Sequence, residues 1–449
     1  MSFPRYPKYK ASGVEWLGDV PEHWNLPKLK GLASFSGGGT PARENLSYWN
    51  GEIPWVSPKD MKTERILGAE ESITKEGLKS SAANLLPPGR VLMVVRSGIL
   101  KHTIPVAINE TDVAMNQDMK ALSFDARVCV GRFFQRWVQG LNDRLLLVWA
   151  KQGATVESIE HSYLADTVIP LPSVPEQLAI AAFLDRETAK IDELVEAQAR
   201  LIELLKEKRQ AVISHAVTKG LNPHAPMKPS GVEWLGEVPE HWEVPALSYR
   251  YRVELGKMLD AKQIAGTHLC PYVRNADVQW GRINIVDLNM MDFEPEERAR
   301  FVLRRGDLLV CEGGEVGRCA VWDAPIAECY YQKALHRLRA VDAARDEVLF
   351  LRWLLEAATA SGCFAASEAK ATIAHLPAEV FRRHRFAFPP LPEQLAIVAF
   401  LDRETARIDT LTTEAQRAID LLRERRSALI SAAVTGQIDV RNAVTLEVA

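Results

Sequence analysis

The sequence predicts an α+β protein, with two globular mixed α/β domains separated by two long antiparallel coiled-coil helices in a pseudo-two-fold internal repeat. Three observations predict this fold class. The segment SGVEWLGDVPEHW at 12–24 returns as SGVEWLGEVPEHW at 230–242. A second segment, PEQLAIAAFLDRETAKID at 175–192, returns as PEQLAIVAFLDRETARID at 392–409. The stretches between these repeats have nearly equal lengths and different sequences, which is typical of a duplicated scaffold that carries two specialised modules.

The repeats also predict how the chain is divided, since 449 residues exceed what one hydrophobic core usually organises. The predicted segments are an N-terminal repeated segment at 1–24, a first domain at 25–172, a first helix at 173–222, a connector at 223–242 that repeats 12–24, a second domain at 243–389, and a second helix with a tail at 390–449. Because the two domains diverge while their frame does not, we expect each domain to act independently.

Composition indicates an ordinary globular protein of the cytoplasm. The chain is 47% hydrophobic and 25% charged, and it has no apolar run long enough to span a membrane. Its first ten residues, MSFPRYPKYK, lack the apolar core of a secretory signal. Six cysteines without a Cys-x-x-Cys pair predict buried free thiols in place of disulfides or a zinc site. The net charge of −3 excludes a polycationic surface but allows a local basic groove.

Each predicted helix begins at a proline, Pro175 or Pro392, and ends near a glycine, Gly220 or Gly436. Apolar residues recur in heptads along both helices, which predicts a coiled coil. The main stripe of the first helix comprises Leu184, Ile191, Leu205 and Val212, with Leu194 and Leu201 in a neighbouring stripe, and that of the second helix comprises Leu401, Ile408, Ala415, Leu422 and Leu429. We expect the four tryptophans of the repeated segments, Trp16, Trp24, Trp234 and Trp242, to pin those segments to the helix pair.

The two domains are predicted to share a fold despite their divergence. Candidate strands at Val91–Val95 and Leu308–Val310 each follow a glycine at the same offset of 217 residues, and helices are expected at Val130–Val148 and Glu347–Ala360.

Polar residues in predicted loops of both domains are candidates for contact with nucleic acid, because amides, guanidinium groups and lysines can bind base edges or phosphates. In the first domain they are Gly38, Thr40, Lys59, Arg96, Ser97, Lys101, His102, Asn116, Gln117, Lys120, Lys151 and Thr155. In the second domain they are Arg274, Asn275, Gln279, Arg282, Glu312, Arg318, Tyr331, Gln332, Lys333, Lys370 and Thr372. Taken singly, each fits an ordinary exposed polar residue equally well. The glycine-rich turn at 37–39 and the lysine–threonine loops near both domain ends fit plain turns as well as phosphate contacts.

Catalytic motifs are missing from the sequence. It contains no GxxxxGK[ST] phosphate loop, no Asn/Asp-Pro-Pro-Tyr/Phe tetrapeptide of an aminomethyltransferase, no HExxH and no GxSxG. The sequence therefore favours a binding protein with no catalytic residues, no metal and no cofactor of its own. Two other interpretations stay open: a methyltransferase with an unrecognised site, and a scaffold whose domains bind proteins.

Several short motifs, doubled and in order, carry a family resemblance. They are GGGTP at 37–41, YWNGEIPWVSPKDM at 48–61, VRSG at 95–98, NQDMKAL at 116–122, GDLLV at 306–310, EGG at 312–314 and GRCA at 317–320, together with the repeated frame. With these motifs the chain resembles the specificity subunit of type I restriction-modification systems (the HsdS family) over essentially its whole length.

The resemblance implies a function in DNA methylation and phage defence. Each variable domain would read one half of a split, asymmetric site in double-stranded DNA. The helix pair would fix the spacer and dock two methyltransferase subunits, which would bind S-adenosylmethionine. Restriction/translocase subunits, which use ATP and Mg²⁺, would complete the enzyme, and this chain would bind no cofactor.

Overall fold

The computed structural model describes residues 3–151, 153, 155–258, 266–364 and 375–443. Its contacts divide the chain into two units: unit 1 comprises Met1–Gln198 with Arg417–Ala449, and unit 2 comprises Ala199–Gln416. The boundary cuts both long helices near their midpoints, so each unit contains one α/β domain and half of each helix. The predicted segments 173–222 and 390–449 are therefore shared between the units.

Unit 1 is built on a five-stranded sheet in the order β3-β10-β7-β8-β5, beside a small sheet in the order β6-β4-β9. Its strands are β1 (Tyr9–Ala11), β2 (Asp19–Pro21), β3 (Ala33–Gly37), β4 (Trp49–Val56), β5 (Arg65–Ile66), β6 (Ser72–Ile73), β7 (Val91–Val94), β8 (Val106–Asn109), β9 (Ala114–Met115) and β10 (Met119–Phe124). Its helices are α1 (Lys75–Lys79), α2 (Gly131–Gly140), α3 (Asn142–Trp149), α4 (His161–Asp166) and the first half of α5 (Val174–Lys219). The predicted strand at 91–95 is thus confirmed as β7, whose four residues are all buried in the core.

The helix predicted over Val130–Val148 is broken into α2 and α3. The break follows Gly140, where a Cβ atom would lie 2.9 Å from the backbone nitrogen of Ser431 on the second long helix. Only glycine permits this close approach, and glycine also disfavours helix continuation. The prediction was wrong there because the tertiary contact is invisible in the local pattern.

Unit 2 repeats this architecture with a four-stranded sheet in the order β13-β21-β18-β19 and a small sheet in the order β17-β14-β20. Its strands are β11 (Met227–Pro229), β12 (Glu237–Pro239), β13 (Tyr251–Leu255), β14 (Leu269–Val273), β15 (Val278–Gln279), β16 (Arg282–Ile283), β17 (Asn289–Asp292), β18 (Asp307–Cys311), β19 (Cys319–Trp322), β20 (Tyr330–Tyr331) and β21 (Leu335–Ala340). Its helices are α6 (Pro295–Phe301), α7 (Val348–Ala360), α8 (Ala378–Arg383) and the first half of α9 (Leu391–Val434). The predicted shared fold, the strand at 308–310 and the helix at 347–360 are confirmed.

The two long helices pair antiparallel, as predicted. In unit 1, Nε of Arg426 on α9 lies 2.9 Å from Oδ1 of Asp192 on α5. In unit 2, Nε of Arg209 on α5 lies 3.2 Å from Oδ1 of Asp409 on α9. The first half of α5 therefore meets the last half of α9, and the converse holds in unit 2. α5 ends at Lys219 and α9 at Val434, one and two residues before the predicted stops at Gly220 and Gly436.

One of the two predicted apolar stripes is wrong. In the main stripe, Leu184, Ile191, Leu205, Leu401, Ile408 and Ala415 are buried. Leu194 and Leu201, assigned to a neighbouring stripe, are 51% and 41% exposed. Two helices that meet along a single seam bury only a narrow stripe, and residues beside that stripe remain in contact with solvent.

The repeated segments join the ends of the long helices. In unit 1, Nε1 of Trp24 donates to Glu176 at the start of α5 (3.2 Å), and the hydroxyl of Tyr9 donates to the carbonyl of Gly436 after α9 (3.0 Å). In unit 2, Nε2 of His241 lies 2.8 Å from Oε2 of Glu393 at the start of α9. The Nζ of Lys219 at the end of α5 donates to the carbonyl of Glu237 (2.6 Å). Each repeated segment thus connects the beginning of one helix to the end of the other, which is the expected pseudo-symmetric frame.

The tryptophans divide into two pairs. Trp24 and Trp242 are fully buried beside Gly436 and Gly220 and so pin the repeated segments to the helices, as predicted. Trp16 instead contacts Trp137 on α2, and Trp234 contacts Phe386, so this pair packs on the α/β domains.

All six cysteines are free and all but Cys363 are buried, as predicted. Burial raises the pKa of the Cys129 thiol to about 12. Among the described residues, no helix combines the length and apolar composition that a membrane span requires.

Candidate nucleic-acid interface

In unit 1 the loops that follow β3, β7 and β9 come together at one edge of the domain. The backbone nitrogen of Gly39 donates to the carbonyl of Met115 (2.8 Å), and that of Arg96 donates to the carbonyl of Asp118 (3.2 Å). The backbone nitrogen of Ser97 donates to the carbonyl of Glu157 (3.0 Å). We call residues 38–40, 95–97, 116–120 and 157–161 loop cluster 1. Seven of the twelve candidates of the first domain lie in it: Gly38, Thr40, Arg96, Ser97, Asn116, Gln117 and Lys120.

The glycine-rich turn has a packing function inside the domain. A Cβ atom on Gly38 would lie 1.9 Å from the carbonyl oxygen of Asn116, and one on Gly39 would lie 2.5 Å from the backbone nitrogen of Ala83. Nε1 of the buried Trp55 also donates to the carbonyl of Gly39 (2.9 Å). These contacts fix the turn, and they place the hydroxyl of Thr40 where it donates to Oε1 of Gln117.

Arg96 and Asp118 form an ion pair at the surface of loop cluster 1. Nε of Arg96 lies 2.7 Å from Oδ1 of Asp118, and the two side chains are 55% and 23% exposed. Asn116, which is almost buried, donates from Nδ2 to the other carboxylate oxygen of Asp118 (3.3 Å). The asparagine therefore supports the aspartate, and the aspartate orients the arginine.

Lys120 lies on β10 and is half-buried. Its Nζ lies 3.0 Å from Nδ1 of His161 and 5.9 Å from the ring centroid of Phe35. Burial lowers the pKa of Lys120. Burial and the neighbouring lysine also lower the pKa of His161, which favours the neutral imidazole as acceptor.

The other candidates of the first domain lie outside loop cluster 1. Lys59 is exposed in the turn after β4, and Lys101 and His102 end a short 3-10 helix, where Asn142 contacts the carbonyl of His102 (3.4 Å). Lys151 is exposed and lies 3.9 Å from Glu160, and Thr155 is also exposed.

In unit 2 a corresponding set of loops, loop cluster 2, comprises residues 274–282, 312–318, 331–333 and 375–376. Nδ2 of Asn275 donates to the carbonyl of Gly313 (2.9 Å), and Arg318 donates to the carbonyl of Asn275 (3.2 Å). The guanidinium of Arg274 binds both carboxylate oxygens of Asp277 and also contacts Asn289, so it is fully engaged within the domain. Glu312 is nearly buried and lies 3.3 Å from Nε2 of His375. Burial raises the pKa of that glutamate.

Four remaining candidates of loop cluster 2 are at the surface. Gln279 is partly exposed and donates to the carbonyl of Ala276 (3.0 Å), while Arg282 on β16 and Lys333 are exposed. The backbone N–H of Gln332 donates to the carbonyl of Val273 (3.1 Å), and the residue is partly exposed.

Tyr331 is removed from the candidate set. Its side chain is fully buried and its hydroxyl donates to the carbonyl of Glu254 (3.4 Å), so it packs in the domain core. Burial also raises the pKa of its hydroxyl. The sequence indicated it because Tyr331-Gln332-Lys333 resembles the Asn116-Gln117 position, but Tyr331 is the last residue of β20. Lys370 and Thr372 lie outside the described residues, and their predicted role stays a prediction.

Sequence reasoning missed the residues that support the candidates. Asp118, His161 and Trp55 position Arg96, Lys120 and the glycine-rich turn, respectively. Asp118 lies inside the NQDMKAL motif, and an acid next to two amides was the available signal. His161 and Trp55 are distant in sequence from the groups they contact.

Each unit thus contains an α/β domain of similar topology with a polar loop cluster, together with half of each long helix. Residues 21–204 match the family described as the type I restriction modification DNA specificity domain. Over this part, the chain is similar to the specificity domain of type I restriction-modification systems, the family whose motifs it resembles.

Similar proteins agree with this relationship. The specificity subunit of the type I restriction enzymes EcoR124I and EcoR124II of Escherichia coli is 32% identical over 199 residues, which cover 44% of this chain and 46% of that protein. The specificity subunit of the enzyme MjaIX of Methanocaldococcus jannaschii is 26% identical over 60% of this chain and 59% of its own length. The chain thus spans about half the length of these curated relatives.

Solved structures share the fold over nearly the whole chain. A chain from a structure on complex assembly and conformational transition of the type I R-M system has a TM-score of 0.70 at 17% identity, covering 92% of this chain and 98% of its own. The HsdS subunit from Thermoanaerobacter tengcongensis has a TM-score of 0.58 at 16% identity, covering 93% and 98%. At such low identity these likenesses establish the fold alone.

Proposed function

We propose that this chain is the DNA-recognition subunit of a type I restriction-modification complex. Each α/β domain reads one half of a bipartite, asymmetric site in double-stranded DNA. The helix pair fixes the spacer and docks two methyltransferase subunits. The observation that carries this proposal is the doubling: a domain that matches a DNA specificity family in sequence recurs in fold on the same helix pair.

The chemistry of the loop clusters supports a binding role. Their exposed groups are guanidinium, amide and ammonium groups, which suit phosphates and base edges. We infer that the chain is not itself an enzyme and binds no cofactor. Partner subunits supply S-adenosylmethionine, ATP and Mg²⁺, restriction/translocase subunits join the complex, and the whole acts in the cytoplasm.

The test is methylation-sensitive long-read sequencing of DNA from a methylation-free host. The host co-expresses this chain with the methyltransferase encoded beside it, and the control host lacks this chain. We expect a split adenine-methylated motif only when both proteins are present. That result would name both half-sites in one experiment.

Two outcomes would contradict the proposal. Methyl transfer by the purified chain alone would indicate an enzyme in its own right. Soluble expression of both proteins with no new motif, and with DNA binding that ignores sequence, would indicate a scaffold for other proteins.

A further inference from the structure

Arg96 presents a guanidinium that is held along one edge and open along the other. Its Nε donates to Asp118 at 2.7 Å, and its side chain is 55% exposed. Across the described part of the chain, neither Nη group of Arg96 has a protein acceptor. The two Nη groups form a planar pair of parallel donors, so the fork of this arginine is available to a ligand.

Asp118, which holds Arg96, is itself held through both its backbone and its side chain. The backbone nitrogen of Asp118 donates to Oδ1 of Asn116 (3.0 Å), and Nδ2 of the same asparagine donates back to the carboxylate (3.3 Å). The carbonyl of Asp118 accepts from the backbone nitrogens of Val95 (2.8 Å) and Arg96 (3.2 Å). Because one residue anchors both the backbone and the side chain of Arg96, the direction of the fork is set before any ligand binds.

Two other arginines of the domains, Arg43 and Arg274, are differently engaged. Both Nη groups of Arg43 donate to Glu71. Arg274, the comparable candidate of unit 2, donates through Nε and both Nη groups. Their forks are occupied by the protein, whereas that of Arg96 is directed to solvent at the edge of loop cluster 1.

We propose that Arg96 reads a guanine of the half-site bound by the first domain, and that Asp118 is its positioning residue. This proposal rests on the proposed function. Two parallel N–H donors match the N7 and O6 acceptors that guanine presents in the major groove, and no other base offers this pair. A phosphate contact would also suit an arginine, but it carries no base identity, and the test separates the two.

The experiment measures methylation by the complex of this chain with its methyltransferase, on a pool of sites randomised across the first half-site. The variants are Arg96→Lys, which keeps the charge and loses the fork, and Asp118→Asn, which keeps the shape and loses the carboxylate. The matched control is Arg65→Lys, because Arg65 is an exposed arginine of the same domain that is paired with Glu110. Thermal unfolding of each variant checks its fold.

We expect the wild-type complex to require guanine at one position of that half-site. Arg96→Lys should reduce discrimination at that position alone by roughly 10- to 100-fold. Asp118→Asn should reduce it at the same position by a smaller factor, and Arg65→Lys should leave it unchanged.

The failures are distinguishable. A uniform loss of methylation across all sequences would indicate that Arg96 contacts a phosphate, and it would overturn the guanine proposal alone. An unchanged motif in both variants would also overturn the guanine proposal alone. A wild-type complex that marks no split motif would instead overturn the proposed function on which this inference rests.

Discussion

Gly38 is the residue where the backbone of loop cluster 1 leaves least space. A Cβ atom there would lie 1.9 Å from the carbonyl oxygen of Asn116, and the corresponding Gly256 of unit 2 would place one 2.3 Å from the carbonyl oxygen of Gln332. The same close approach thus occurs at both domains, although the sequences around it differ. A glycine needed for packing explains the turn without any phosphate.

We predict that Gly38→Ala destabilises unit 1, because the added methyl group must displace backbone atoms of the turn that supports Asp118. The expected loss is about 1–3 kcal/mol of the free energy of unfolding, measured by urea denaturation. Gly37→Ala is the matched control, since a Cβ atom on Gly37 would meet nothing within 4 Å. Equal stability of the two variants would show that the turn adjusts freely.

His336 is a buried imidazole within β21 of unit 2. It is fully buried, and its Nε2 lies 2.8 Å from the carbonyl oxygen of Leu376. Burial lowers its pKa to about 4, with electrostatic contributions from His375 and Arg382 in the same direction, while the hydrogen bond to Leu376 acts against the shift. The folded chain therefore keeps this ring neutral at pH values where an unfolded chain, with its pKa near 6.5, takes up a proton.

We predict that unit 2 loses stability as the pH falls from about 6.5 to about 4, since the unfolded state binds the extra proton across that interval. The full effect is roughly 3 kcal/mol of unfolding free energy, which is about 1.4 kcal/mol for each unit of pKa shift. His336→Gln retains a side-chain donor for the carbonyl of Leu376 and removes the titration. Chemical denaturation of both proteins at several pH values should give a stability difference that changes only in this interval. A constant difference would contradict the prediction.

For single residues, the sequence predicted which polar side chains lie near strand ends, but it did not predict which of them are buried or paired. Arg96, Gln117 and Lys333 are displayed as expected, because charged and amide groups next to a strand end seldom bury themselves. Tyr331 lies in the core because it is still part of β20, as the last residue of that strand. Arg274 is paired because Asp277, an acidic residue, lies three residues away. Such details depend on tertiary contacts that no local pattern encodes.

At the scale of elements, a carboxylate of each domain forms an ion pair with an arginine of a long helix. The carboxylate comes from a different position in the two domains. In unit 1, Oε1 of Glu64 lies 3.4 Å from Nη2 of Arg426 and 2.7 Å from Nη1 of the buried Arg136. In unit 2, Glu356 on α7 lies 2.6 Å from Nη1 of Arg209. The position equivalent to Glu356 in the first domain, 217 residues earlier, is Gln139, which donates to Glu64 (3.1 Å). Arg209 and Arg426 occupy equivalent positions of the two helices, whereas their carboxylate partners, Glu356 and Glu64, lie on different elements of the two domains.

We predict that this carboxylate can be moved. Glu64→Gln should cost about 2 kcal/mol of unfolding free energy, because Arg136 is buried and, among the described residues, keeps only Asp185 as a charged partner. Adding Gln139→Glu to that variant should recover most of the loss, because it supplies a carboxylate from α2 as Glu356 does from α7. Glu110→Gln, which breaks an exposed pair with Arg65, should change stability by less than about 0.5 kcal/mol. Failure of the second change to rescue the first would mean that Glu64 acts through Arg132 or its own loop.

Element boundaries were predictable where a heptad or an alternating pattern was long. Both long helices, β7, β18 and α7 lie where the sequence placed them. The break between α2 and α3 and the exposure of Leu194 were not predictable, because both depend on how many neighbours the element has in space. The apolar pattern of a helix predicts which stripe packs against a partner helix, but it does not predict whether the residues beside that stripe are also covered.

At the scale of the whole molecule, both long helices belong to the two units. Each repeated segment binds the start of one long helix and the end of the other, and α5 and α9 both run through the two units without a break. Because neither helix is interrupted by a loop, residues inserted within a helix are expected to lengthen that helix. If the chain reads a split site, the helices are the natural ruler for its spacer.

We predict that inserting the same four residues after Gln198 in α5 and after Ala415 in α9 lengthens the spacer of the methylated motif by about two base pairs. Four residues advance an α-helix by about 6 Å and rotate it by about 40°, and two base pairs advance B-DNA by about 6.8 Å with a rotation of about 70°. The two changes agree closely enough for both domains to engage their half-sites. The control carries the same four residues after Asn222, in the connector, where no helix is lengthened. Sequencing of methylated DNA reports the spacer directly. An unchanged spacer in the helix variant, or an equal change in the connector variant, would show that the helices do not set the spacer. The connector or the methyltransferase subunits would then set it.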